Sequence, residues 1–169
     1  MEEVEIINKV DKSGLISFNL EDYYPKQERK SIDLKNYLWQ GLILREKEFR
    51  ILIADTNWSE YQDKFVCVYC SNEAIIPVWA YMLIAAALEP FAQKIVFGDL
   101  KNLEESIFHD TLKNLDLSGY KDQRIIIKGC SKYPVPPSAY LEITTILKPL
   151  AKSIMYGEAC STVPIYKRK

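Results

Sequence analysis

The sequence predicts an α/β protein in which duplicated βαβ units form a mainly parallel sheet with helices on both faces, plus an N-terminal α+β extension. Three observations carry that prediction. First, residues 77–98 are written a second time as residues 136–157. At an offset of 59, without gaps, nine of 22 positions are identical, among them Ala80/Ala139, Tyr81/Tyr140, Ile84/Ile143, Leu88/Leu147 and Gly98/Gly157. Second, short apolar runs at 64–69, 94–97, 124–128 and 153–156 alternate with segments of helical length. That alternation implies parallel strands joined by helical crossovers. Third, Ile125, Ile126 and Ile127 are consecutive, as in a strand covered on both faces.

Each element has a local reason. Residues 1–60 form the extension, which is expected to pack on a core of residues 61–169. Within it, 15–20 resembles a strand, Tyr23-Tyr24-Pro25 a turn, and 33–40 and 45–55 look helical. The run 64–69 reads as a buried strand ending at Cys70, with Ser71 or Asn72 able to cap the next helix. That helix runs from about Pro77, a residue tolerated in a first turn, to about Leu88, and Pro90 ends it. The strand 94–97 is closed by Gly98-Asp99. Asn102 is expected to cap a second helix, with Glu105 three residues on and Leu103, Ile107, Leu112 and Leu115 on its buried face. After the strand 124–128 come Gly129-Cys130-Ser131, a loop containing Pro134, Pro136 and Pro137, and a helix to about Leu147. The strand 153–156 ends at Gly157-Glu158. A last strand is expected at 162–166, with Pro164 favouring an edge or irregular position. The simplest duplicated arrangement has strand order 2-1-3-4, with the first strands of both halves as central neighbours.

Composition narrows the function. A chain of 169 residues can bury roughly 70% of its unfolded surface and needs neither disulfides nor a structural metal to fold. A net charge of −1 argues against binding nucleic acid or an anionic membrane, since both rest on clustered cationic charge. The only basic run is the terminal Lys167-Arg168-Lys169, read as a solvated tail. The acidic start, Met1-Glu2-Glu3-Val4-Glu5, is not a secretory signal, and no apolar stretch is long enough to span a bilayer. The expectation is a cytoplasmic protein with reduced thiols. Its four cysteines are then buried hydrophobes, metal ligands or reactive thiols.

Three of the four cysteines precede a serine: Cys70-Ser71, Cys130-Ser131 and Cys160-Ser161. At an offset of 60, the first two pairs come after similar basic-plus-apolar runs, so they read as the same point in both copies. In open parallel sheets, ligands bind outside the carboxyl ends of strands where the winding reverses. That places Cys70, Asp99, Cys130 and Glu158 at the ends of the four strands, with Cys160 two residues beyond Glu158. On adjacent central strands about 4.8 Å apart, Cys70 and Cys130 would bring their sulfurs together. Thiolates suit zinc or an iron–sulfur cluster, and three of them leave one position for Asp99, Glu158 or an exchangeable ligand. Ser71, Ser131 and Ser161 would donate hydrogen bonds to the sulfurs. Packing remains the bland alternative, because cysteine is among the most buried residue types.

Other residues carry less. Cys67 lies inside the strand three residues before Cys70, so the pair faces opposite ways and buried packing outweighs a redox C-x-x-C reading. His109, the only histidine, is placed on the helix surface, which leaves a cysteine nucleophile without a base. Tyr81 and Tyr140 read as core packing, and Gly98 and Gly157 as strand-exit turns. No G-x-G-x-x-G or phosphate-binding loop is present in the sequence.

Six segments resemble a known family: Glu21-Asp22-Tyr23-Tyr24-Pro25, Trp39-Gln40-Gly41-Leu42-Ile43-Leu44, Cys70-Ser71 with Trp79-Ala80-Tyr81, Lys128-Gly129-Cys130-Ser131, and Gly157-Glu158-Ala159-Cys160-Ser161-Thr162-Val163-Pro164. Together they span nearly the whole chain and resemble the bacterial family catalogued as domain of unknown function 2480. The resemblance implies no activity. By context it suggests iron–sulfur assembly components as partners, an association that says nothing of this chain's chemistry. The leading expectation is an accessory or carrier that binds a metal or iron–sulfur species through Cys70, Cys130 and Cys160. The alternatives are a thiol enzyme or redox protein using Cys70 or Cys130, and a non-catalytic binding or structural module. Self-association through an edge strand stays open.

Overall fold

A computed structural model describes residues 14–129 and 131–169. The fold is mixed α/β, with two mostly parallel sheets in place of the single sheet expected. The chain divides into two compact units, residues 25–106 and residues 1–24 with 107–169.

The first unit holds a three-stranded parallel sheet, ordered β2-β3-β4: β2 (Arg29–Asp33), β3 (Phe65–Tyr69) and β4 (Lys94–Phe97). Two helices complete it, α1 (Glu46–Asp55) and α2 (Val78–Leu88). Ala80, Ile84 and Leu88 recur every four residues on α2 and are buried with Phe49, Val66 and Val68. That spacing is one helical face.

The second unit holds the sheet β1-β5-β6-β7: β1 (Leu15–Asn19), β5 (Arg124–Lys128), β6 (Ser153–Glu158) and β7 (Ser161–Lys167). β1, β5 and β6 are parallel, and β7 returns antiparallel to β6. Helix α4 (Pro137–Leu147) buries Ala139, Ile143 and Leu147 against Phe18, Ile125 and Ile154. These three helix positions are those of Ala80, Ile84 and Leu88, offset by 59. Pro164 lies in the edge strand β7, as its missing N–H requires.

The division between units falls within α3 (Leu100–Lys113). That helix starts two residues before the expected cap. The Asp99 carboxylate accepts from the amides of Lys101 and Asn102, while the Asn102 side chain accepts from the Asp99 amide. Asp99 is therefore the cap and Asn102 its reciprocal partner. Gly98, at φ +122°, leaves room for it: a Cβ there would stand 2.3 Å from Asn102 Oδ1.

Three expectations are corrected. β3 and β5 are not neighbours: β3 lies between β2 and β4, and β5 between β1 and β6. The order 2-1-3-4 is absent because two N-terminal strands, β1 and β2, take the flanks of β5 and β3. Nor does the winding reverse among the parallel strands of either sheet, so neither contains the switch point that was to locate a ligand. Finally, the segment 33–40 is a short 3-10 turn, Leu34–Tyr37, instead of a helix. Asp33, capping the Lys35 amide at 3.0 Å, starts it.

The repeat is longer than the identities suggest. Asp63 and Asp122 both have positive φ, and their amides donate to Phe91 and Leu150 respectively, 59 residues apart throughout. In the sheets, Phe65 stands opposite Lys94 as Arg124 stands opposite Ser153, again at 59. A second repeat, at an offset of 14, relates β1 and its 3-10 turn Leu20–Tyr23 to β2 and Leu34–Tyr37.

Candidate functional site

The sheet register changes the meaning of the cysteines. At a constant offset of 59, Cys70 corresponds to Gly129 and Ser71 to Cys130. The alignment at 60 is therefore one residue out of step with the registers of the strands that precede the two Cys-Ser pairs. Cys67 corresponds to Ile126, both buried in the middle of their strands. Its thiol donates to the Lys30 carbonyl at 3.6 Å, and burial, with Asp99 adding to it, pushes its pKa up. It packs, as expected of it.

In the three-stranded unit, Cys70 is half-buried just past β3 and donates to the Asn72 carbonyl at 3.6 Å. The next residue is clamped. Ser71 donates its amide and its hydroxyl to the two oxygens of Asp33, at 3.0 and 2.6 Å. Burial pushes the Asp33 carboxyl up, but the hydrogen bonds from Ser71 and the Lys35 amide outweigh it and leave the group below its ordinary value. Asn72 donates to the Gly41 carbonyl at 2.9 Å. Tyr81 lies edge-on to Phe97, with ring centres 5.1 Å apart; burial first, then the nearby Cys70 sulfur, raise its pKa.

The four-stranded unit builds the corresponding loop differently. Glu21, in the 3-10 turn after β1, accepts from the Tyr133 amide at 2.7 Å, the Lys132 amide, and the Ser131 hydroxyl at 2.8 Å. Those amides, above all Tyr133 and then Lys132, hold its pKa down at about 2. Tyr24 stacks on Tyr133 with centres 4.5 Å apart. Gly129, at φ +154°, passes under Tyr140, whose hydroxyl would be 2.9 Å from any Cβ there. Tyr140 in turn lies edge-on to Tyr156, centres 5.8 Å apart, repeating the Tyr81–Phe97 pair.

The predicted site residues fall in both units. Cys70 and Asp99 belong to the first, and Glu158 and Cys160 to the second. Cys130 lies outside the described residues. Cys160 is exposed in the two-residue turn between β6 and β7. Glu158 pairs with Lys128 at 3.6 Å, and Ser161 stands opposite it in the ladder. Among the described residues no three histidine, cysteine or acidic side chains gather as a metal site would need. The hydroxyls of Ser71 and Ser131 go to carboxylates, not to the sulfurs they were expected to support. His109 is exposed, beside Glu142 at 2.8 Å.

Sequence reasoning missed Asp33 and Glu21. A signal existed: Asn19-Leu20-Glu21-Asp22-Tyr23 and Asp33-Leu34-Lys35-Asn36-Tyr37 share a turn pattern 14 residues apart. It also missed a pocket of about 380 Å³ within the second unit, lined by Ile127, Val135, Pro137, Tyr140, Thr144, Tyr156 and Ile165. The pocket sits between the carboxyl-terminal parts of β5 and β6 and the start of α4, and Ile165 on β7 adds a wall.

No helix among the described residues is long and apolar enough to cross a membrane. No curated protein and no solved structure matches the chain. A family model described as a protein of unknown function, DUF2480, matches residues 4–168. With nearly every residue inside that match, the chain belongs to the DUF2480 family.

Proposed function

We propose that the protein is a non-catalytic binding module that takes a small, uncharged, largely apolar ligand in the pocket of its four-stranded unit. The pocket itself carries this reading. Its volume falls within the usual range for ligand sites, and no charged side chain lines it. Tyr140, Thr144 and Tyr156 supply polar atoms among apolar walls, a composition that orients a ligand with one hydrogen-bonding group. A neutral hydrophobic dye of the Nile red type should gain fluorescence on binding the purified chain. Thr144→Trp, which fills the pocket, should weaken that binding about tenfold or more. Equal binding by both proteins sinks the reading.

The second reading is the thiol site, in which Cys70, Cys130 and Cys160 hold a metal or iron–sulfur species and Asp99 or Glu158 assists. Accessibility favours it: Cys70 is only half-buried and Cys160 is exposed, so neither is sealed in a core. Two observations weigh against it, since Asp99 is occupied as a helix cap and Glu158 as the partner of Lys128. If the thiols are ligands, adding zinc, or iron with sulfide, to anaerobic protein should protect all three together from alkylation. Unchanged alkylation of each thiol rules this reading out.

A further inference from the structure

The internal repeat shows what one exposed surface lacks. In the four-stranded unit, the outer edge of β6 is covered by the antiparallel strand β7, with Val163 opposite Tyr156. In the three-stranded unit the chain turns from β4 into α3 instead, and among the described residues β4 pairs only with β3. The consequence is visible at matching positions: Tyr156 is 46% exposed and Phe97 is 73% exposed. Val78 and Met82, on the helix that carries Tyr81 against Phe97, are 74% and 65% exposed. An apolar edge without a covering strand invites pairing with another chain.

We propose that β4 pairs antiparallel with β4 of a second copy, extending two three-stranded sheets into one of six strands. The Gly98 amide donates inward to Val68 at 3.0 Å. By alternation Val96 also faces β3, and Ile95 and Phe97 direct their backbone groups outward. A twofold axis normal to the sheet requires opposed residues to point to the same face, so the register must centre on a residue. Centring on Val96 sets Ile95 of each copy opposite Phe97 of the other, with both exchanging backbone hydrogen bonds. It also gives two aromatic–β-branched pairs on the α2 face. Each Lys94 then stands opposite a glycine, Gly98 of the other copy, so no like charges meet. The outer edge of β7 is a poorer candidate, since Pro164 and a register shift at Ile154/Met155 interrupt pairing there. β4 has neither device.

So short a ladder makes a weak dimer, with a dissociation constant on the order of 10 μM. Sedimentation velocity of the full chain between about 1 and 200 μM should show the mass rising from one chain toward two. Phe97→Lys should weaken association at least tenfold, and the exposed position lets the variant fold. Val96→Cys tests the register. Facing Cα atoms in a non-hydrogen-bonded pair are about 4.5 Å apart, within disulfide reach. Oxidised glutathione should therefore link Val96→Cys chains above the level of the parent, and should not link Ile95→Cys chains. Hydrogen exchange at the Ile95 and Phe97 amides, slower in concentrated than in dilute protein, gives a readout that needs no variant. A parent chain that stays monomeric overturns the proposal. So does a dimer indifferent to Phe97→Lys, or one that cross-links through Ile95→Cys instead.

Discussion

Ser71 and Ser131 each have one hydroxyl proton, and each gives it to a carboxylate on the turn after a neighbouring strand. Asp33 does this from the cap of its turn, Glu21 from inside its turn, where the longer side chain reaches three consecutive residues. Charge-assisted bonds of this kind are roughly twice as strong as neutral ones. Because the folded-state pKa of Glu21 is about 2 against an ordinary 4.5, its contribution is complete above pH 4.5. It is lost as pH falls from there toward about 2. Glu21→Gln should therefore lower the melting temperature at neutral pH, and the gap to the parent should close across that acid window. A constant gap would mean that the charge is not what matters. These carboxylates escaped a sequence reading centred on thiols, because an acid in a turn is usually a solvated residue. The thiols themselves stood out by their pairing with serine, yet the pairs are 60 residues apart while the registers of β3 and β5 are offset by 59.

At the scale of elements, the helices were legible and the turns were not. α2 and α4 announce themselves by apolar residues every four positions, and their twin sequences give twin burial at Ile84 and Ile143. Both side chains are fully buried in separate cores, so Ile84→Ala and Ile143→Ala should each cost about 2–5 kcal/mol in chemical denaturation. A loss below about 1 kcal/mol at either site would show that its core collapses around the missing methyls. The strand at Ser161–Lys167 was also foreseen, and of the edge or irregular position that Pro164 favours it takes the edge. The start of α3 was misjudged by three residues because Asp99 and Asn102 are both good caps, and the reciprocal bond between them leaves no preference in sequence alone. The run 33–40 has helical spacing but only one turn of hydrogen bonds. Isolated turns of that length need an anchor, and Asp33 supplies it.

For the whole chain, the α/β class was legible from alternation, and the partition into two sheets was not. β1 and β2 are 14 residues apart and lead into the same turn pattern, so nothing local tells one to flank β5 and the other β3. Pairing partners distant in sequence are set by the assembled cores, which no window of a few residues contains. The crossed assignment has a bearing on synthesis at the ribosome. Every strand of the β2-β3-β4 sheet has been made once Phe97 emerges, so that sheet can form early. β1 is made before any strand of that sheet, yet its partner arrives only when Arg124–Lys128 has been translated. Until then its backbone donors and acceptors are left to water, and Phe18 remains without the core it later joins. The nascent chain thus carries a waiting strand from Asn19 until Arg124–Lys128 is made, the kind of segment that chaperones hold.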